Sequence, residues 1–289
     1  MPIPAKQLII TADDFGLSAG VNAAVEKGWR DGILTCASIM PGGTAFNQAV
    51  TIARRNPGLQ VGLHLTLLQG TSVLPPSQIP GLVDEAGCFS DNPVTTGMRY
   101  FFDKGIYKQL KQEIEAQIQR VLDAGLALSH IDGHLNIHLH PTVFAFLTDL
   151  MPRYGITSFR LSRERLFHNL RFDRQRRAGK SAERVIFGAL ANHARPHLKQ
   201  LGIRFAGEVK GLLNSGRMTE EYLLQILDGL DEGLTELYFH PGLLPDAEIS
   251  RRMPDYRHEE ELAAILSPRV KRRLSELSIG LVNYRGDTK

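Results

Sequence analysis

Short apolar runs alternate along the chain with longer amphipathic stretches. Gln7–Ala12 (QLIITA), Thr35–Met40 (TCASIM) and Leu59–Leu68 (LQVGLHLTLL) have the continuous apolar character of buried strands. Ser18 is placed to cap a helix through Val21, Ala24, Val25 and Trp29, with Gly32 as its stop, and a second helix over Thr44–Arg55 ends before Pro57. Tyr107–Leu122 carries Leu110, Ile114, Ile118 and Val121 on one helical face. Further strands are predicted at Leu128–Asp132, Thr157–Leu161, Glu236–Phe239 and Gly280–Tyr284. Further helices are predicted at Pro141–Arg153, Ser181–Leu201, from Thr219 through Leu227, and Pro268–Leu277. Pro141 suits a first helical turn, whereas Pro196 should break or kink the helix it falls in. Between Gln69 and about Gly97, Pro75, Pro76, Pro80 and Pro93 predict a long loop, a feature that in a compact domain often serves a site.

Strands alternating with helices imply a largely parallel sheet, and seven or so such units predict an α/β fold closed, or nearly closed, into a barrel. No Pro/Gly/Ser linker or repeat divides residues 1–289, so one domain is expected. In parallel barrels the chemistry gathers at the C-terminal ends of the strands, where the polar motifs should fall.

Composition narrows the class. The two cysteines, Cys36 and Cys88, sit in unrelated contexts and argue against a disulfide framework or a thiolate zinc site. A net charge of +3 is too small to point to nucleic acid. No segment approaches the roughly 20 apolar residues of a membrane span, and the start lacks a signal-peptide stretch, so a cytoplasmic protein is expected. The charge is uneven, however. A basic helical insertion is predicted at about 163–203, with Arg171, Arg174, Arg176, Arg177 and Lys180 followed by Val185, Ile186, Phe187 and Leu190. Such an element suits peripheral contact with an anionic membrane surface or a lipid tail, or else it is a solvated face packed on the barrel.

Four motifs carry candidate chemistry. Asp13 and Asp14 follow the first strand, and adjacent carboxylates repel unless something positive neutralises them; a turn-and-cap pair is the plainer reading. His64 lies inside an apolar run, as a hydrogen-bonded core histidine or a ligand. Ser129–Pro141 (SHIDGHLNIHLHP) holds His130, His134, His138 and His140, four of the ten histidines, a concentration for which metal binding is the leading explanation and a polar surface loop the alternative. Gly133 argues for a strand end passing into a loop, which projects His134 into the barrel mouth. Phe239-His240-Pro241-Gly242 is a further strand end, or a simple turn histidine.

Taken together, an aspartate and two histidines can hold one divalent ion, magnesium or zinc, with positions left open for water and substrate. The ion would polarise an amide carbonyl and acidify water, a second carboxylate would take the proton, and an imidazolium would protonate the departing amine. No GxSxG nucleophile motif is present, which favours direct attack by water.

These residues resemble the YdjC-like carbohydrate deacetylases. Thr11–Gly16 (TADDFG), Leu17–Asn22 (LSAGVN), Gly62–Thr66 (GLHLT), His130–His134 (HIDGH), Phe159–Glu164 (FRLSRE) and Phe239–Gly242 (FHPG) follow in the family's order across nearly the whole chain. The resemblance implies an irregular (β/α) barrel related to polysaccharide deacetylases. It also implies metal ligands at Asp14, His64 and His134, with Asp13 as catalytic base. His240 is the candidate acid, and Arg160, matching the family's strand arginine, is expected beside Asp13. His138 is expected to contact substrate or to support the site. Relatives often carry a histidine where this chain has Asn136.

A narrower likeness, in KQLIITADDFGLS, MPGGTAFNQAV, VLPPSQIPGLVDEAG and LSPRVKRRL, is to the hopanoid-biosynthesis-associated HpnK branch. It implies an N-acetylglucosaminyl glycolipid substrate, with a chitooligosaccharide as the alternative. A phosphoesterase would usually need two metals and Arg or Lys on the phosphate, and only one ligand set is evident. A non-catalytic sugar- or lipid-binding protein would need neither Asp13 nor His240.

Overall fold

A computed structural model describes residues 4–165 and 177–289, with side chains in the helix that begins at Arg177 described from Val185 onward. Its centre is a parallel sheet built from β1 (Lys6–Phe15), β2 (Cys36–Ile39), β3 (Gln60–Leu65), β4 (Ile131–Gly133), β5 (Glu208–Lys210), β6 (Gly233–Phe239) and β7 (Gly280–Leu281). The order is β4-β3-β2-β1-β6-β5, with β7 pairing to β1 off this path. Every one of these pairings is parallel.

The predicted strand Thr157–Leu161 is reduced to isolated bridges, Ile131 to Phe159 and Ser158 to Arg204. It nevertheless spans the gap between the sheet's two edges. Arg160 N–H donates to the Ile131 carbonyl on one side, while Phe159 N–H donates to Arg204 and Val209 N–H to Arg163 on the other. The sheet thus curls into an irregular barrel, as expected. The short β5, Glu208–Lys210, was not evident in the sequence because two of its three residues are charged; both are buried and paired, Lys210 Nζ lying 3.1 Å from Glu208.

Helices pack outside the curl. α1 (Ala19–Asp31) is capped by Ser18, whose side chain accepts from Val21 N–H, and α2 (Phe46–Arg55) follows. α3 (Pro93–Phe102) begins inside the stretch read as loop, because Asn92 caps it and Pro93 opens its first turn. α4 (Tyr107–Asp123) and α5 (Pro141–Arg153) lie where the periodicity placed them. α6 (Arg177–Gln200) runs through Pro196 rather than stopping there; Ala191, Ala194 and Leu198 are buried around it, and their packing outweighs the lost hydrogen bond. Of the expected basic insertion, Arg171, Arg174 and Arg176 lie outside the described residues. α7 (Glu220–Asp228) and α10 (Pro268–Glu276) match expectation, whereas α8 (Ala247–Arg252) and α9 (His258–Leu266) were not predicted. One large apolar cluster, including Leu8, Ile10, Leu34, Leu63, Ile118, Leu147 and Leu237, fills the space between sheet and helices.

Candidate active site

The strand C-termini converge on a cleft of about 500 Å³ lined by Asp13, His64, His134, Arg160, Tyr238 and His240 among others. Each comes from a different part of the curl: Asp13 from β1, His64 from β3, His134 from just past β4, Arg160 from the bridging segment, Tyr238 and His240 from the end of β6.

The aspartate pair lies within β1 rather than after it. Successive side chains on a strand point to opposite faces, so two adjacent aspartates would normally be separated by the sheet. Here the β1–β2 register shifts between Ala12 and Phe15, and Asp14 takes φ +61°, the left-handed region. This local turn brings the Asp14 carboxylate back toward the imidazoles. Asp14 Oδ1 lies 3.1 Å from His134 Nδ1 and 3.3 Å from His64 Nε2. Asp14 Oδ2 is buried without a hydrogen-bond partner.

Asp14, His64 and His134 each offer a ligand atom within 4.8 Å of the others, and all three are buried. The fit to a divalent cation rests on that donor set and on the orphaned Asp14 oxygen. A buried carboxylate oxygen with no donor is costly unless a cation or proton meets it. Burial works against ionisation of Asp14, but the His134 and His64 imidazoles hold it well below the ordinary carboxylate range. Burial likewise works against a charged His64, yet Asp132 and Asp13 beside it raise it to about 10. The pocket is thus electronegative enough to favour positive charge.

Arg160 is 1% exposed and meets three carboxylates. Its Nη1 and Nη2 each stand 2.7 Å from an Asp13 oxygen, a bidentate pair; Nη2 is also 2.8 Å from Asp132 Oδ2, and Nε is 2.8 Å from Glu236 Oε1. The Tyr238 ring lies 4.5 Å from the guanidinium carbon. Thr11 donates to that same Glu236 oxygen and Tyr284 to the other. Asp132 and Glu236, both fully buried, were not singled out in the sequence. Asp132 had a legible signal: His130, Asp132 and His134 alternate, so a strand places all three on one face. Glu236 had none beyond its position in a strand run.

His240 reaches the cleft with its main chain held on both sides, its N–H by the Glu261 carboxylate and its carbonyl by His258 Nδ1 at 2.7 Å. Its own Nδ1 is buried and unpartnered. Burial lowers its pKa to about 4, although Asp14 and Asp13 pull the other way. Glu261, fully buried, is pushed up to about 7 by that burial, against the two N–H groups it accepts, from Met218 and His240.

The expected substrate contact of His138 is not met in this structure. The residue is 0% exposed, does not line the cleft, and turns Nε2 to the Arg160 carbonyl at 2.9 Å. Sequence spacing could not distinguish this from a cleft residue, because the chain reverses through left-handed Leu135 and Asn136 between His134 and His138. Asn136 lines the cleft, and its Oδ1 accepts from Ser162 Oγ at 2.5 Å.

Comparison with known proteins finds relatives along nearly the whole chain. The carbohydrate deacetylase of Thermoanaerobacter pseudethanolicus is 28% identical over 282 residues, covering 96% of this chain and 98% of its own. That of Geobacillus stearothermophilus is 27% identical over 97% of both chains. A crystal structure of a candidate cellobiose-phosphate cleavage protein from Enterococcus faecalis superposes with a TM-score of 0.75 at 25% identity, covering 97% of this chain and 98% of the other. The model of the YdjC-like protein family matches residues 7–276, and the chain belongs to that family.

Proposed function

We propose that the chain hydrolyses the N-acetyl group of an amino sugar, with Asp13 as base, His240 as acid and one divalent cation, zinc or magnesium, on Asp14, His64 and His134. The observation that carries this reading is the pairing of a bidentately clamped, cleft-lining carboxylate, Asp13 on Arg160, with a separate three-donor cluster beside it. The full-length likeness to carbohydrate deacetylases supports the reaction class.

The bound cation would polarise the acetyl carbonyl and acidify a water. Arg160 holds both Asp13 oxygens, fixing the carboxylate as acceptor of the water's proton. His240, which lines the same cleft, protonates the departing amine. Burial disfavours its charged form, so the proton it gives the amine is one that Asp13 has taken from the attacking water and passed on. Acetate and the ammonium form of the amine are the products, so both protons of the water end on the nitrogen and no outside donor is needed.

The glycolipid substrate has its own support. Phe187 of α6 lines the cleft, with Val185 and Ile186 exposed beside it in sequence; Pro93, the first residue of α3, also lines the cleft, and Val94, Met98, Phe101 and Phe102 are exposed on that helix. Exposed apolar residues on two cleft-bordering helices suit an amino sugar carried on an apolar aglycone, such as the head group of a hopanoid, and a peripheral contact with its membrane. No described helix is long and apolar enough to cross a membrane.

Acetate release from N-acetylglucosamine, short chitooligosaccharides and an N-acetylglucosaminyl polyol lipid, before and after chelation, tests the reading. Release that chelation abolishes and the matching metal restores is the expected result, with the lipid preferred. Release from none of the three would refute it, and preference for the oligosaccharides would replace the glycolipid by a chitooligosaccharide.

A further inference from the structure

One carboxylate at the centre of the site never reaches the cleft. Asp132 is 0% exposed and does not line the cavity, yet it engages both halves of the proposed machinery. Its Oδ1 stands 2.8 Å from His64 Nδ1, in β3–β4 register, His64 opposite Asp132. That contact fixes a proton on Nδ1 and turns Nε2 toward Asp14, leaving Nε2 as the ring nitrogen that would ligate a cation. Its Oδ2 stands 2.8 Å from Arg160 Nη2, the nitrogen that also donates to Asp13 Oδ1 at 2.7 Å. Ser38 of β2 donates to the same Oδ2 at 2.6 Å, and His130, 3.0 Å from the Ser38 hydroxyl, buttresses it. The carboxylate is therefore held by three strands and the bridging segment, with no freedom to favour one partner over the other.

We propose that Asp132 is a positioning residue that couples the cation ligand His64 to the base Asp13 through Arg160, so that a single buried group sets the geometry of both. The proposal rests on the reading above, in which His64 ligates and Asp13 accepts the proton. A carboxylate that merely neutralised Arg160 would affect stability and leave cation affinity alone. A carboxylate that only oriented His64 would affect cation affinity, and saturating cation would then restore turnover. The coupling role predicts both losses together.

The test is the affinity of the cation-free protein for zinc and for magnesium by titration calorimetry, paired with kcat at saturating cation, for the wild type, Asp132→Asn and Ser38→Ala. Asp132→Asn sets an amide N–H against the Arg160 guanidinium and should weaken cation binding by about 10- to 100-fold, the usual effect of losing a group that supports a ligand. Its kcat at saturating cation should stay at least about tenfold low, part of the roughly 10²–10⁴ that a well-placed general base contributes. Ser38→Ala removes one hydrogen bond to the same oxygen and should move both quantities in the same direction by a smaller factor, which decides the matter if Asp132→Asn does not fold. Wild-type affinity in the variants overturns the proposal while leaving the cation site intact. Full recovery of kcat at saturating cation overturns the coupling to Asp13. A wild-type protein that binds neither cation removes the underlying reading instead.

Discussion

Glu113 gives the sharpest test of how burial and hydrogen bonding compete in this fold. It lies on the apolar face of α4, flanked by Leu110, Ile114 and Ile118, and is 0% exposed. Its carboxylate accepts from Val73 N–H at 2.8 Å, Leu74 N–H at 2.9 Å and Gln117 Nε2 at 2.9 Å, pinning the proline-rich stretch that follows Gln69 to the helix. Replacing it by leucine roughly keeps the volume and orphans the Val73 and Leu74 N–H groups, while Gln117 Nε2 keeps its bond to the Thr66 carbonyl. A buried unsatisfied donor costs about 1–3 kcal/mol, and half-buried Val73 and Leu74 can recruit some water, so roughly 2–4 kcal/mol is expected in total. At about 2–4 °C per kcal/mol, the figure for domains of 150–250 residues, the melting temperature should fall by roughly 4–16 °C. The pH dependence has a definite sign. Burial raises the folded-state pKa of Glu113 above its ordinary 4.5 despite the three donors. The stability it contributes is then fully present below the unfolded pKa and is lost as pH rises through the folded value. The gap between wild type and Glu113→Leu should therefore be larger at pH 4 than at pH 8, measured by urea unfolding at both. A gap that widens with pH would mean that the donors outweigh burial, and a variant as stable as wild type at both pH values would refute the clamp itself.

Asp13→Asn should leave cation affinity within a few-fold of wild type by calorimetry but lower acetate release by about 10²–10⁴, the usual worth of a general base; unimpaired release would remove Asp13 from that role. Asp14→Gly and Asp14→Ala should both lose the cation, but the glycine variant should be the more stable in urea. The left-handed φ costs an L-residue about 1–2 kcal/mol, against roughly 0.4–1 kcal/mol for the added freedom of unfolded glycine, and an alanine variant of equal or greater stability would contradict this. Gly62→Ala would place a Cβ 2.3 Å from the His130 ring. The ring is boxed in by Ser38 and stacked on Tyr284 at 3.9 Å between centroids, so overpacking should cost about 1–3 kcal/mol, checked by the same unfolding curves.

How far the sequence disclosed the molecule depends on which physical signal each element carries. β1, β2, β3, α1, α4 and α5 were legible because their apolar patterning is strong, with Ser18 and Pro141 marking the starts of α1 and α5. α3 was hidden by the four prolines around it, although Asn92-Pro93 is itself a helix-start signal. β5 and the bridging Thr157–Leu161 segment were misjudged in opposite directions. The first is a charged strand whose charges are internally paired, the second an apolar run whose hydrogen bonds are shared between two partners without forming a regular ladder. The helices α8 and α9 are short and carry several charges, which weakens any periodic signal.

At the site, residue type and order pointed to Asp13, Asp14, His64, His134 and His240, all of which the fold gathers around one cleft or its buried donor cluster. What a linear reading could not supply was the mutual geometry that divides their labour. Adjacent aspartates on a regular strand would face away from each other; the register shift and left-handed turn at Asp14 let Asp13 stay on the Arg160 fork while Asp14 swings to the imidazoles. The same constraint explains why one arginine serves three carboxylates. With Asp13, Asp132 and Glu236 all directed at Arg160, its positive charge is fully engaged, and Asp14 is left facing two imidazoles with one oxygen unpaired. A barrel mouth built from buried carboxylates needs positive partners close at hand, and Asp14, which meets only the two imidazoles and keeps one oxygen without a donor, is where the proposed cation would fit.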